Sequence, residues 1–184
     1  MKPFFGIIFF TLIFLNSAIA ESVFIELKTN KGNITIELFS DKAPVSTSNF
    51  LQYVDEGFYD GTIFHRVIKG FMIQGGGLLP TLERKKTKKG IKNEAKNGLK
   101  NKRGTIAMAR ARNPNSATSQ FFINHKDNPR LDYPSFDGWG YAVFGKVVAG
   151  IEVVDLIANS PTTQKGGRSD VPLDTILVKS IIRK

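Results

Sequence analysis

Short strand-like runs separated by turn residues constrain the fold of this chain more than any other feature of its sequence. Apolar and polar residues alternate over 23–27 and again over 34–38, and 29–32 supplies turn residues between them. This arrangement predicts a β-hairpin. Further strand-like runs occupy 62–67, 71–74, 105–109, 120–124, 142–148 and 175–182. Many short strands in succession are typical of an antiparallel sheet or barrel.

Two helical patterns interrupt the strands. The first begins at 41–44, where Pro44 suits an opening turn, and its apolar stripe continues until Gly57. The second spans 151–158, and Pro161 follows its end. Two isolated helices among short strands favour a closed antiparallel barrel over a parallel sheet.

The first twenty residues have the order of a secretory signal peptide. Lys2 precedes an apolar run over 4–15, and Ala18-Ile19-Ala20 offers a small-residue cleavage site. A bilayer needs ~20 apolar residues, so this run is short for a membrane span. We therefore expect residues 1–20 to be cleaved, although an uncut N-terminal anchor is the alternative. The mature chain, 21–184, would form one domain that is large enough to fold without disulfides, and the sequence contains no cysteine.

The positive charge of the chain is concentrated in one segment. The net charge is +10, and residues 83–103, here called the basic segment, contain ten lysines and arginines but only two glutamates. Such a segment can be a solvated loop, or it can bind an acidic partner or an anionic surface. We expect no nucleic-acid partner, because no aromatic residues lie among the charges to stack on bases. The long stretch 75–104 has little periodicity, which indicates a functional or mobile loop.

One arginine stands out in the segment 64–77, Phe-His-Arg-Val-Ile-Lys-Gly-Phe-Met-Ile-Gln-Gly-Gly-Gly. On a strand, Arg66 would share a face with Phe64 and Ile68, where a closed core would leave its charge unpaired. Either that face opens into a cleft or a carboxylate meets the guanidinium. His65 would lie on the opposite face, which favours a packing role for it.

Several segments together carry a family resemblance. They are 64–77, 104–109 (Gly-Thr-Ile-Ala-Met-Ala), 119–124 (Ser-Gln-Phe-Phe-Ile-Asn) and 143–147 (Val-Phe-Gly-Lys-Val). From about residue 23 to the C-terminus, the chain resembles the cyclophilin family of peptidyl-prolyl cis-trans isomerases. The resemblance implies a mainly β fold, a closed eight-stranded antiparallel β-barrel capped by two α-helices. It also implies a monomer that binds proline-containing polypeptides.

The expected chemistry needs no cofactor or metal, because rotation about an X-Pro bond neither makes nor breaks a covalent bond. The barrier of ~18–20 kcal/mol arises from amide resonance. A guanidinium aimed at the proline nitrogen favours the twisted amide, in which that nitrogen regains its lone pair. Arg66 is our candidate for this role, and the resemblance implies the same.

The resemblance assigns the remaining site residues. It gives catalytic roles to Gln74 and Phe71 beside Arg66. It implies a substrate-binding set of Met72, Ala109, Arg110, Gln120, Phe122, Leu131 and Tyr141. The positions that match the family's socket for the proline ring are Phe71, Met72, Phe122 and Leu131. Gln120, like Gln74, matches an amide that bonds to the peptide backbone. Ala109 and Arg110 match a strand edge that pairs with substrate, and we expect the Arg110 charge to lie at the rim. Strand periodicity alone does not place the adjacent Phe71 and Met72 in one pocket.

The chain departs from many eukaryotic members of the family at two positions. Arg130 stands where those members have tryptophan, and Tyr141 stands where they have histidine. Tyr141 and the loop sequence Ile-Lys-Asn-Glu-Ala at 91–95 resemble the bacterial branch of the family. Together with the signal-peptide pattern, these features predict an exported protein of the Gram-negative periplasm.

Other functional classes have less support in the sequence. A metal site is not expected, because His65 and His125 are the only histidines and lack ligand spacing. No Gly-x-Ser-x-Gly motif supports a hydrolase, and 75–77 lacks the Lys-Ser/Thr ending of a phosphate-binding loop. The main alternative is a non-catalytic proline-peptide binding module or chaperone that uses the same pocket. The presence of Arg66 beside an apolar socket favours an enzyme over a binding module, because binding proline alone would not require a charge there.

Overall fold

The computed structural model describes residues 23–184, so the predicted signal peptide at 1–20 lies outside the described residues. The strands are β1 Val23–Thr29, β2 Gly32–Leu38, β3 Arg66–Ile68, β4 Met72–Gly75, β5 Thr105–Met108, β6 Phe121–Asn124, β7 Val143–Ala149, β8 Thr162–Lys165, β9 Arg168–Pro172 and β10 Val178–Arg183. The helices are α1 Pro44–Asp55 and α2 Ile151–Ala158, with a short 3-10 helix at Pro129–Leu131. None of the helices within this range is long and apolar enough to cross a membrane. The mainly β prediction with two helices is confirmed.

Eight strands form one antiparallel sheet in the order β10-β1-β2-β7-β5-β6-β4-β3. The sheet is an open half-barrel, so the prediction of a closed barrel was wrong. Its edge strands, β3 and β10, do not pair in a ladder, and a single bridge joins Ile63 to Leu177. Gly61 has a left-handed backbone, with φ +76°. Strand β3 begins only at Arg66, so the predicted strand at 62–67 is shorter than expected.

The sheet divides its apolar side chains between two clusters. Phe121 and Ile123 of β6 point into the main core, whereas Phe122 points into a smaller cluster with Met72 and Leu131. Neighbouring residues of a strand face opposite sides, so β4, β5, β6 and β7 each contribute to both clusters. The smaller cluster underlies the candidate site.

Aromatic side chains fill the main core beneath α1. Phe50 of this helix meets Phe121 edge to face at 5.6 Å and lies 5.3 Å from the ring of Phe144. Pairs in this geometry add ~0.5–1.5 kcal/mol beyond their area burial. The sheet face that carries the core is thereby fixed against the helix, which leaves the other face for the site.

The basic segment supplies the cap of α1. Ala43 precedes the helix and makes no side-chain cap, but the Glu94 carboxylate accepts hydrogen bonds from the amides of Val45 at 3.0 Å and Ser46 at 2.7 Å. A carboxylate at this position satisfies unpaired amides and complements the helix dipole. The long stretch 75–104 is thus held to the core despite its lack of periodicity.

The β8–β9 hairpin was not predicted from the sequence. It turns at Gly166 and Gly167, whose φ values of +56° and +72° favour glycine. Strand β9 lies against β3. This contact brings the hairpin to the side of Arg66.

Candidate active site

A small cavity opens where β3, β4 and β6 meet the 3-10 helix. It encloses about 120 Å³. Its lining residues are Arg66, Phe71, Met72, Gln74, Ala109, Arg110, Phe122, Leu131 and Tyr141. Pockets for drug-sized ligands measure roughly 300–1,000 Å³, so this cavity, here called the socket, suits a single side chain. The structure brings together nine of the ten residues that the sequence analysis assigned to the site, and Gln120 lies in the adjoining groove.

Arg66 begins β3, and strand pairing places it opposite Gln74 of β4. The Gln74 amide nitrogen donates to the side-chain oxygen of Gln120 at 3.0 Å. The two amides therefore hold each other at the edge of the socket. Arg66 has a half-exposed side chain, so its guanidinium reaches solvent and the socket together.

The two alternatives stated for Arg66 both occur. Its face opens into the socket, and the carboxylate of Asp170 lies 3.7 Å from its Nε. Sequence reasoning missed Asp170, because it belongs to the unpredicted β8–β9 hairpin. The contact through Nε leaves the terminal nitrogens of the guanidinium available to a substrate.

The socket is apolar at its base. Met72 and Phe122 are buried, and Leu131 is brought in by the 3-10 helix. Tyr141 meets the Phe122 ring nearly perpendicularly at 5.8 Å, and its amide donates to the Leu131 carbonyl at 2.9 Å. Phe71 lies in the turn before β4 rather than on the strand. Strand alternation therefore does not govern Phe71, and it can share the socket with Met72.

The side chain of Arg110 does not place a charge at the rim, so that expectation was wrong. Only 2% of the side chain is exposed, and its Nη2 lies 2.6 Å from Oδ2 of Asp137. Its Nε donates to the Gly140 carbonyl at 3.0 Å, and its guanidinium carbon stands 4.5 Å from the centre of the Tyr141 ring. The hydrogen bond from Arg110 also holds the pKa of Asp137 below its usual range. Arg110 therefore supports Tyr141 and the 132–140 loop.

Three buried asparagines fix the back of the socket. The Asn128 amide donates to the Phe71 carbonyl at 2.9 Å and to Oδ1 of Asn124 at 2.7 Å. Asn124 in turn donates to Oδ1 of Asn101 at 3.2 Å. Asn124 ends the 119–124 motif, but the sequence did not reveal its link to Asn101 and Asn128, which lie in loops where asparagine is common.

A larger groove continues from the socket. It encloses about 650 Å³, and it shares Arg66, Gln74, Ala109 and Arg110 with the socket. Gln120 reaches into it because Gly77 leaves room, since a Cβ at Gly77 would stand 2.5 Å from Cγ of Gln120. The backbone amide of Ala109 donates to the Gln120 carbonyl at 3.0 Å, so this N–H is used within the protein.

His65 lies at the base of the groove. It is buried, and burial foremost, with the nearby charge of Arg168 next, lowers its pKa to about 4. The imidazole is therefore neutral at physiological pH. No group of three His, Asp or Glu side chains within 23–184 is placed to hold a metal ion.

Comparisons with known proteins agree on one family. The family model described as cyclophilin type peptidyl-prolyl cis-trans isomerase/CLD matches residues 24–182. The chain is 56% identical over 155 residues to peptidyl-prolyl cis-trans isomerase B of Escherichia coli, which covers 83% of this chain and 94% of that protein. It is 57% identical over 157 residues to a peptidyl-prolyl cis-trans isomerase of Acinetobacter baylyi, with 85% and 83% covered.

Solved structures give the same result. A cyclophilin type peptidyl-prolyl cis-trans isomerase of Cryptosporidium parvum aligns with a TM-score of 0.74 and 32% identity, and the match covers 89% of this chain and 98% of that one. A second structure of that protein, obtained in the presence of the dipeptide Ala-Pro, aligns with a TM-score of 0.72 and 34% identity, covering 86% and 97%.

Proposed function

Because this chain belongs to the cyclophilin family of peptidyl-prolyl cis-trans isomerases, we propose that it accelerates rotation about X-Pro bonds in exported proteins and assists their folding. One observation carries the assignment of the site: the Arg66 guanidinium opens on the same socket as Met72 and Phe122. An apolar socket holds the pyrrolidine ring, and the cation stands beside it where the proline nitrogen would lie.

Catalysis follows from what the cation stabilises. In the planar amide the proline nitrogen is a poor acceptor, whereas in the twisted amide it accepts a hydrogen bond from Arg66. The interaction is therefore stronger in the transition state than in the ground state. A hydrogen bond to a charged group contributes ~1.5–3 kcal/mol, and each tenfold in rate takes ~1.4 kcal/mol. Arg66 thus accounts for roughly a 10- to 100-fold increase in the isomerisation rate.

The remaining acceleration comes from orientation. Gln74 and Gln120 present amides to the peptide backbone beside the socket, and Asp170 limits the freedom of the Arg66 side chain. The socket fixes the ring while the preceding residue rotates. Positioning of this kind lowers the entropic part of the barrier.

The direct test is an isomerisation assay with the purified protein and a short X-Pro peptide, followed by exchange NMR. We expect cis and trans signals to exchange faster in proportion to the protein concentration. Binding without faster exchange would instead support the non-catalytic proline-binding module.

The proposal that the protein is exported rests on the signal-peptide pattern at 1–20. We propose that the mature protein works in the periplasm as a monomer. Analytical ultracentrifugation would test the monomer, and a dimer at micromolar concentration would contradict it.

The basic segment is also proposed to contact an acidic partner or an anionic surface. Some of its cations are already engaged, because Lys85 donates to the Phe58 carbonyl and Lys88 pairs with Glu56. Lys86, Lys89 and Lys92 are exposed. Replacing these three with glutamine should weaken retention on anionic vesicles or on an acidic polypeptide column, and unchanged retention on both would contradict the proposal.

A further inference from the structure

The groove beside the socket has an excess of positive charge. Four arginines line it, and Asp170 is the one carboxylate residue among its lining residues within 23–184. The guanidinium of Arg110 is neutralised by Asp137, and Arg66 has Asp170 nearby. Among the described residues, Arg84 and Arg168 form no ion pair with a carboxylate.

Both of these arginines are carried by ordered backbone. Arg84 forms a β-bridge with Leu78, and the Leu79 amide donates to the Glu83 carbonyl at 3.0 Å. Arg168 starts β9, which lies against β3. The cations are therefore carried on positioned backbone rather than on a free chain end, which reduces the entropy that a ligand must overcome.

The base of the groove is also polar. His65 is buried there, and its Nδ1 has no hydrogen-bond partner among the described residues. After burial, the charges of Arg168, Arg66 and Arg84 each lower its pKa. Three guanidinium groups thus make the electrostatic potential at His65 more positive.

We propose that the groove selects substrates with an acidic residue near the proline, and that Arg84 and Arg168 bind its carboxylate. This inference rests on the proposed function, because the socket must first hold the proline. The groove and the socket share four lining residues, so we expect the acidic residue to lie within a few positions of the proline.

The test uses heptapeptides with a central Ala-Pro and one variable position, occupied in turn by Glu, Gln or Lys. At the best position, kcat/KM for Glu should exceed that for Gln about three- to fivefold, the range of partly exposed ion pairs. The Lys peptide should have a lower kcat/KM than the Gln peptide. The Glu/Gln ratio, which is kcat/KM for the Glu peptide divided by kcat/KM for the Gln peptide, should approach one in ~1 M salt, where the Debye length is ~3 Å.

Single substitutions test whether the groove causes the preference for Glu. The Glu/Gln ratio should fall toward one in Arg84→Gln and Arg168→Gln. Lys179→Gln removes the same charge from β10 and lines neither cavity, so it should keep the wild-type ratio. Asp170→Asn should raise the ratio, because it removes the groove's own carboxylate. Asparagine tolerates the left-handed backbone found at Asp170, where φ is +61°.

Each failure has a distinct meaning. A wild-type ratio near one at every position, or a ratio that survives in both arginine variants, overturns the acidic preference but leaves the isomerase in place. No turnover of any peptide contradicts the proposed function instead. In that case, NMR titration with the Glu and Gln peptides still decides the inference, since equal dissociation constants would overturn it.

Discussion

At the scale of single residues, Arg66 combines a half-exposed side chain, apolar neighbours and a carboxylate that comes from a distant part of the sequence. A half-exposed arginine with Asp170 at 3.7 Å contributes little to folding, because exposed ion pairs are worth ~0–1 kcal/mol. Its position at the mouth of an apolar socket is better explained by a role in catalysis than by a contribution to folding stability. The consequence is that catalysis and folding should respond separately to its replacement.

We predict that Arg66→Ala lowers kcat/KM by ~10–100-fold, the contribution of a charge-assisted hydrogen bond, while thermal unfolding changes little. Exchange NMR on a neutral X-Pro peptide measures the rate, and circular dichroism follows unfolding. Arg112→Ala is the matched control, because Arg112 is exposed and lines neither cavity. Turnover near the wild-type value by folded Arg66→Ala would remove Arg66 from the mechanism.

Most of the socket could be named from the sequence, because motif residues such as Arg66 and Phe122 carry the resemblance. Asp170 could not, since its contact depends on a hairpin that brings a distant segment to β3. The burial of the Arg110 side chain was also hidden, because its partner Asp137 lies 27 positions away in the chain. Contacts between loops have no periodic signal that a sequence pattern could reveal.

At the scale of elements, charged side chains hold the loop that borders the socket. The 132–140 loop is clamped by Arg110 through Asp137, and the Trp139 amide also donates to Oδ1 of Asp137 at 3.1 Å. Lys96 of the basic segment stands 4.9 Å from the centre of the Tyr133 ring. The loop that carries the wall of the socket is therefore fixed from two sides.

Breaking the clamp should loosen the loop and the socket. Asp137→Asn leaves the buried Arg110 guanidinium without its carboxylate, which we expect to cost roughly 1–3 kcal/mol, less than the ~3–5 kcal/mol of a fully buried pair. KM for peptide should rise. Trp139 is the only tryptophan of the chain, so its fluorescence reports on the loop directly. Asp174→Asn, at an exposed site, is the control, and an unchanged spectrum and KM in Asp137→Asn would refute the clamp.

The same ion pair predicts a dependence on pH. The hydrogen bond from Arg110 lowers the pKa of Asp137 in the folded protein, so the stabilisation is present above the unfolded carboxyl pKa of ~3.9 and is lost as pH falls through the folded value. Wild-type stability should therefore drop more steeply than that of Asp137→Asn below about pH 4. Urea titrations at several pH values measure this difference, and parallel curves would contradict it.

The cap of α1 is the second single-residue support. Glu94→Ala removes the acceptor of the Val45 and Ser46 amides and should destabilise the protein by ~1–2 kcal/mol, or roughly 2–8 °C in Tm at this chain length. Isomerisation by the folded variant should be unchanged, because Glu94 lies outside the socket and groove. Glu83→Ala is the control, since within residues 23–184 the only side-chain hydrogen bond to that carboxylate comes from the nearby Thr81 hydroxyl. Equal Tm values for the two variants would show that Glu94 is not a stabilising cap.

The predicted elements also differ in how well the sequence specified them. Helix α2 has the predicted bounds, because an apolar stripe and a following proline define it. The β8–β9 hairpin was not predicted, because Thr-Thr-Gln-Lys has no apolar alternation and is mostly exposed. The prediction of a closed barrel was wrong because the edge strands β3 and β10 do not pair in a ladder, and no hydrophobic pattern in the sequence records whether two edge strands pair.

At the scale of the whole molecule, the sheet separates stability from function. One face packs against α1 around Phe50 and Phe121, whereas the other carries the socket. Alternation along β4 and β6 sends one residue to each side, so a shift of one position would exchange core and site. This division allows replacements in the socket to change binding while the main core stays intact.

The last prediction concerns the mature form of the molecule. The described fold begins at Val23, where β1 pairs with both β2 and β10. Cleavage after Ala20 would remove none of the described residues, and the Ala-Ile-Ala triplet has the small side chains that signal peptidases accept. We therefore expect N-terminal sequencing of the protein from the periplasmic fraction to begin at Glu21. Ala20→Leu should block cleavage and leave a heavier, membrane-associated chain, whereas Ile19→Val, at the position between the two small residues, should be processed normally. A native N-terminus at Met1, or normal processing of Ala20→Leu, would overturn the predicted cleavage site.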